Sequence, residues 1–227
     1  MYDVDNPFGL KKAEGDIYEN FSVIDINHKI GLHLYVDHPN RKFSYWDLID
    51  EYIKSITIEC KNDSYGHHKS NNVCIEFGQR NKASGKSEES GILISESKFW
   101  LQCNGIEYDD AIIYVAYSDV IRKLYKDCSD FWKYFNILAN RFVGDEYREK
   151  LKSLFAYTEN KIGSKAFSAL YPMGKEGKIR FLSDYPVPQG PGQEDKPMDL
   201  FLVPRDIYRD YCLEVNNKYD ITYKDLK

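Results

Sequence analysis

The run Ile56-Thr57-Ile58-Glu59-Cys60-Lys61 constrains this chain more than any other stretch. Its β-branched and apolar residues favour a strand. Side chains alternate across a strand, so Thr57, Glu59 and Lys61 share one face while Ile56, Ile58 and Cys60 share the other. An acid and an ammonium therefore stand side by side in what is otherwise core-forming sequence. Either charge alone would cost several kcal/mol to bury, so the pair must satisfy itself, bind a metal, or face a cleft. Taken alone, the tripeptide reads first as an ordinary ion pair on a half-exposed strand.

Its neighbours sharpen the reading. Upstream, Tyr45-Trp46-Asp47-Leu48-Ile49-Asp50-Glu51 is an apolar segment carrying acids before a turn. Asp47 is favoured over Asp50 as a site residue because it lies within the apolar run, whereas Asp50 sits where the chain should turn. Downstream, Asn71-Asn72-Val73-Cys74-Ile75-Glu76-Phe77 is a second strand-like run with its own acid. Three consecutive strands would bring Asp47, Glu59 and Glu76 into one cluster with Lys61 at its edge.

An Asp, a variable gap and Glu-x-Lys resembles the signature of the PD-(D/E)xK nuclease superfamily, which includes restriction endonucleases, junction resolvases and phage recombination exonucleases. The continuation through Lys69 to Glu76, Ser90-Gly91-Ile92 and Lys98-Phe99-Trp100 is similar to phage and resolvase-like members, and the resemblance covers roughly residues 10 to 127. Trp46 stands where the nominal signature has proline. The resemblance implies a restriction-endonuclease-like α/β core, with a central mixed β-sheet flanked by helices, over residues 1–127. Residues 128–227 would form a C-terminal α+β subdomain packed on it. It further implies a Mg²⁺-dependent deoxyribonuclease, with Mn²⁺ as a substitute. Asp47, Glu59 and the Cys60 carbonyl would hold the metal, and Glu76 would bind a second ion or orient water. Lys61 would position or deprotonate the attacking water and stabilise developing charge. In that family a first helix often contributes an acid. Glu19 is the choice here and Glu14 the runner-up, in a segment Lys11 to Asn20 whose Ala13, Ile17 and Phe21 recur at helical spacing.

Composition tests these implications. The chain has 227 residues, 42% of them hydrophobic, enough to bury a substantial core and exclude a disordered polymer. The formal charge of −5 counts against a generic polyanion binder, since phosphate neutralisation by Lys and Arg supplies most nonspecific affinity. A DNA partner, branched or single-stranded forms included, must then be held by local basic groups. The candidates are His67-His68-Lys69, Arg80-Asn81-Lys82 with Lys86, and Arg122-Lys123 with Lys126. The 19 tyrosines and 12 phenylalanines could stack bases, but an AT-rich coding sequence of viral or mobile-element origin explains them equally well. Five widely spaced cysteines without a CxxC pair read as reduced thiols, and the histidines show no zinc spacing. With no run of 18 apolar residues and no secretory h-region, the expectation is a cytoplasmic protein, in the host cytoplasm if viral, without a membrane and with a homodimer allowed.

Elsewhere the pattern predicts strands at Phe21 to Ile26, Ile30 to Val36 and Ala111 to Tyr117. Helices are predicted at Asp119 to Lys126, with Ser118 or Asp119 as N-cap, at Phe131 to Ala139 and at Gly144 to Tyr157. Arg80 to Glu89 and Asp184 to Pro197 read as loops, and Leu200 to Pro204 as a strand leading into a helix. Ser95 and Lys98 are candidates for phosphate contact, and Trp100 reads as core. Two further readings share this sequence: a catalytically degenerate binding or assembly protein of the same fold, and an RNA endonuclease.

Overall fold

A computed structural model describes residues 34–36, 47–50, 52, 56–62, 71–81, 84–104, 112–171, 178–187 and 196–215. Among them the fold is mixed α/β, with one mixed sheet and one antiparallel sheet flanked by helices. The mixed sheet contains β1 (Leu34–Val36), β2 (Leu48–Asp50), β3 (Thr57–Asn62), β6 (Phe99–Asn104), β7 (Ile112–Tyr117) and β10 (Leu213–Val215), in the order β1-β2-β3-β6-β7-β10. Its single parallel pair is β3 with β6, where Glu59 registers with Trp100 and Lys61 with Gln102. The antiparallel sheet is built from β4 (Asn72–Arg80), β5 (Ser87–Glu89), β8 (Arg180–Val187) and β9 (Lys196–Pro204), in the order β5-β4-β9-β8. The expected trio of consecutive acid-bearing strands is thus split. Both edges of β4 are taken by β5 and by the distant β9, so Glu76 stands on the second sheet rather than beside β3.

Among the described residues four α-helices accompany the sheets: α1 (Ser118–Arg141), α2 (Gly144–Ile162), α3 (Ser164–Leu170) and α4 (Arg205–Tyr208). The two helices expected at Asp119 to Lys126 and Phe131 to Ala139 are one. Ile121, Leu124, Cys128 and Phe131 form a continuous buried stripe at helical spacing through the polar residues that separate them in sequence. The stripe packs with Val73 and Ile75 of β4, Trp100 of β6, Tyr114 of β7 and Phe201 of β9 in one core, so α1 fills the space between the two sheets. Trp100 is core, as expected. No side chain caps the start of α1; Ser118 is buried and its hydroxyl lies 3.1 Å from that of Ser97.

The division drawn between residues 127 and 128 falls inside α1, and strands from beyond it complete both sheets, β9 against β4 and β10 against β7. Among the described residues the two spans interleave, rather than forming a core with an appended subdomain. The loop expected at Asp184 to Pro197 is partly strand as well. Pro186 pairs with Pro197 where β8 forms the edge of the sheet, the position at which a missing N–H costs least.

Two irregularities meet on this second sheet. The β4–β9 register shifts between Glu76 and Gly78, and the β8–β9 register shifts between Leu182 and Tyr185, with Asp184 at φ +54°. Asp199 of β9 joins them. Its carboxylate accepts from the Ser87 hydroxyl at 2.5 Å and from the Asp184 N–H at 3.0 Å, and it lies so close to Gly78 that a Cβ there would sit 2.8 Å from Oδ2. A buried carboxylate thus stands in for ladder bonds that the bulges break. Asp199→Ala is expected to lower stability by about 1–3 kcal/mol through these orphaned donors. An unchanged urea midpoint would show that the bulges hold without it.

Candidate active site

The site is built outward from β3. The β2 ladder pairs only with Thr57 and Ile58, which leaves the Cys60 N–H beyond its end. Asp47, one residue before β2, fills that place. Its own N–H donates to the Ile58 carbonyl at 2.9 Å, and its Oδ2 accepts from the Cys60 N–H at 2.7 Å. Asp47 is therefore fastened to the middle of the Glu59-Cys60-Lys61 tripeptide. It lies in a bend rather than within a strand, and its role as a ladder terminator explains why an acid is tolerated beside the buried Leu48. Asp50 is the last residue of β2.

On β3 the alternation holds. The Lys61 ammonium lies 2.5 Å from Glu59 Oε1 and 5.8 Å from the centre of the Trp100 ring on the neighbouring strand. Lys61 keeps 37% of its side-chain exposure, whereas Glu59 keeps 12%. Crowding by protein atoms pulls the lysine pKa down. The attraction of Glu59, followed by that of Asp47, the Glu59 hydrogen bond and the attraction of Glu76, outweighs it, and the net shift is upward from 10.5. Lys61 is a permanent cation in the working pH range.

A cleft of about 230 Å³ opens over this face. Glu59 and Lys61 of β3 and Glu76 and Gln79 of β4 line it. Ser90, Gly91, Ile94 and Ser95, from the turn after β5, complete the lining. That turn is tied down from several sides. The Ser90 hydroxyl donates to Glu76 Oε1 at 2.5 Å, the Arg122 guanidinium donates to the Ile92 and Ser95 carbonyls, and the Lys98 N–H donates to the Thr57 hydroxyl at 2.9 Å. Both sheets thus contribute residues to one cleft, and Arg122 of α1 anchors the turn that completes its lining.

Of the residues singled out in the sequence, Glu59, Asp47 and Glu76 each act electrostatically on Lys61; Glu59, Lys61, Glu76 and Ser95 line the cleft, whereas Asp47 lies outside that lining, on the Cys60 N–H. Lys98 does not line the cleft; its ammonium lies 5.4 Å from the centre of the Phe99 ring. Glu14, Glu19 and His67-His68-Lys69 lie outside the described residues. The basic candidates that are described are largely committed elsewhere, Arg80 to Asp184, Arg122 to Asp119 and the loop carbonyls, and Lys123 to Asp127. Gln79 carries no motif, and Ser90 and Gly91 entered only as part of the family-like Ser90-Gly91-Ile92 run, without a role in the site.

The donor set can be weighed against a cation. Among the described residues no three His, Cys, Asp or Glu side chains form a group that could hold one metal ion. The carboxylates instead surround an ammonium. Three carboxylates against one ammonium leave two surplus negative charges, and every available donor is a hard oxygen. Mg²⁺ commonly keeps several waters and is bound through one or two carboxylates plus substrate phosphate, so Asp47 and Glu59 with the Cys60 carbonyl fit its chemistry. Among the described residues no helix is long and apolar enough to cross a membrane. No family model, curated protein or solved structure matches this chain.

Proposed function

We propose that the cleft is the active site of a Mg²⁺-dependent nuclease that hydrolyses DNA phosphodiester bonds, built on a restriction-endonuclease-like sheet. The observation that carries this reading is Asp47, bonded through the Cys60 N–H to the centre of a Glu-x-Lys strand whose two charges face an open cleft. A structural ion pair would have no need of a second carboxylate fastened to its strand, nor of a third acting on the same lysine.

Asp47 and Glu59, with the Cys60 carbonyl, would hold the ion. Bound there, Mg²⁺ supplies Lewis-acid polarisation of the phosphate and acidifies water. Lys61, held as a cation by its carboxylates, neutralises charge that builds on the phosphate oxygens; its raised pKa makes it a poor base. The proton of the attacking water passes instead to a carboxylate, a role we assign to Glu76, which accepts from the Ser90 hydroxyl; as the P–O bond to the leaving oxygen breaks, that oxygen takes a proton from solvent water, and Glu76 returns its own to solvent.

Incubation with linear, circular and branched DNA and with single-stranded RNA, in Mg²⁺, Mn²⁺ or chelator, tests the reading. Metal-dependent DNA cleavage that disappears in Asp47→Asn is expected. Products that are identical for the variant, or that persist in chelator, would sink it, and cleavage of RNA alone would reassign the substrate. The commitment of Arg80, Arg122 and Lys123 to internal ion pairs favours a second reading, a binding protein with the same cleft and no turnover. Metal-dependent DNA binding without any product would decide for it.

A further inference from the structure

The β4 bulge does more than interrupt a ladder. On a regular strand Glu76 and Gln79, three residues apart, would point to opposite faces. In the β4–β9 register Glu76 pairs with Leu200 and Gln79 with Met198, and Leu200 and Met198 share a face of β9. The extra residue at Phe77 therefore turns Gln79 onto the same face as Glu76, and both line the cleft together with Lys61. At Gly78, the residue between the bulge and Gln79, an added Cβ would lie 2.8 Å from Asp199 Oδ2 and 3.3 Å from the Glu88 carbonyl oxygen, so Asp199 packs directly against the kink that precedes Gln79.

Resting on the nuclease reading, we propose that Gln79 is a substrate-contacting residue that reads the base edge of the nucleotide adjoining the scissile phosphate. Lys61 on β3 is the cation among the lining residues, and Glu59 and Asp47 would hold the divalent ion beside it, so the phosphate belongs with β3. On β4 a phosphate would meet the Glu76 carboxylate. What β4 offers beside that carboxylate is a neutral amide, with a donor and an acceptor side by side, the pairing that a glutamine makes with the edge of a base. Gln79 is half-buried, so its rotamers are restricted before a ligand arrives.

The test uses the full chain and five oligonucleotides that differ only at the nucleotide flanking the cut, which is A, C, G, T or abasic. Wild type is expected to discriminate its best base from the abasic site by about tenfold in kcat/KM, within the range for one bidentate base contact. Gln79→Ala should collapse that ratio towards one, whatever its effect on absolute turnover. Gln79→Glu, of the same shape with one donor exchanged for a charge, should change which base is preferred. A wild type blind to the base, or a Gln79→Ala protein with its preference intact, overturns the proposal and leaves the nuclease reading standing. If wild type cuts none of the five, the nuclease reading falls, and anisotropy of the same labelled oligonucleotides with Mg²⁺ takes over as the readout. Base-dependent binding lost in Gln79→Ala supports the contact, and indiscriminate or absent binding overturns it.

Discussion

Lys61→Ala is expected to lower kcat on DNA by about 10²–10³-fold, the usual loss when one preorganised charge-stabilising group is removed from a site. KM should change much less, because the ammonium interacts most strongly with charge that develops during the reaction. Its protonation fixes the pH dependence. Glu59, Asp47 and Glu76 hold the lysine pKa above 10.5, so the ammonium is complete below that value and is lost only as pH rises through the higher pKa of the folded protein. Its contribution to stability follows the same sign, fully present below the unfolded value and fading only above it. Between about pH 7 and about pH 10 the Lys61-dependent part of the rate should therefore be flat. A lysine serving as general base would instead give a rate that climbs roughly tenfold per pH unit over that span as neutral amine accumulates. Such a climb in wild type, absent from Lys61→Ala, would overturn the electrostatic assignment. Lys61→Arg separates charge from shape: a planar guanidinium keeps the charge but not the compact approach to Glu59, and intermediate activity is expected.

The strand at residues 56 to 61 was legible because its signal is local. Period-two alternation put Glu59 and Lys61 on one face, and the structure pairs them at 2.5 Å. Asp47 stood out in the sequence as an acid beside the Glu-x-Lys strand, but its manner of attachment did not. A carboxylate that ends a ladder by accepting a backbone N–H leaves no pattern in sequence, so it read as a strand residue. Glu76 came from the same local logic, yet its sheet depends on β9, which pairs with it from more than a hundred residues away and cannot be seen from periodicity. The same long-range pairing defeats the boundary at residue 127. Gln79 was illegible for a sharper reason. Alternation, correctly applied, sends it to the face opposite Glu76, and only a one-residue bulge reverses the parity. Long helices were read short at α1, where Cys128-Ser129-Asp130 looks like a break, although Cys128 continues the buried stripe. Tertiary burial against two sheets outweighs weak local propensity there.

The charge problem raised by composition has a local answer in this cleft. A net charge of −5 and ion-paired arginines leave no broad basic track among the described residues. The surplus negative charge around Lys61 would repel a nucleic-acid backbone unless a divalent cation came first. DNA affinity should then depend on metal far more steeply than is usual for proteins that rely on lysine and arginine stripes.

Gly91→Ala is expected to cost about 2–5 kcal/mol, the sum of a left-handed backbone penalty and an overpacking penalty. Gly91 sits at φ +53°, where an L side chain is strained, and a Cβ there would overlap the Glu76 carbonyl. Because the obstacle is backbone, no rotamer change relieves it; either β4 or the Ser90–Ser95 turn must move. Ser90 donates to Glu76 and Arg122 anchors the carbonyls of Ile92 and Ser95, so the displacement is carried directly into the cleft. Gly85 supplies the control. It has φ +66° but nothing within 4 Å of its Cβ position, so Gly85→Ala carries the backbone penalty alone, about 1 kcal/mol. The difference between the two unfolding free energies isolates the collision with Glu76. Equal losses would show that Gly91 is required only for its dihedral angle. A larger loss at Gly91, with cleavage reduced even in the fraction that remains folded, would show that its missing side chain sets the width of the cleft.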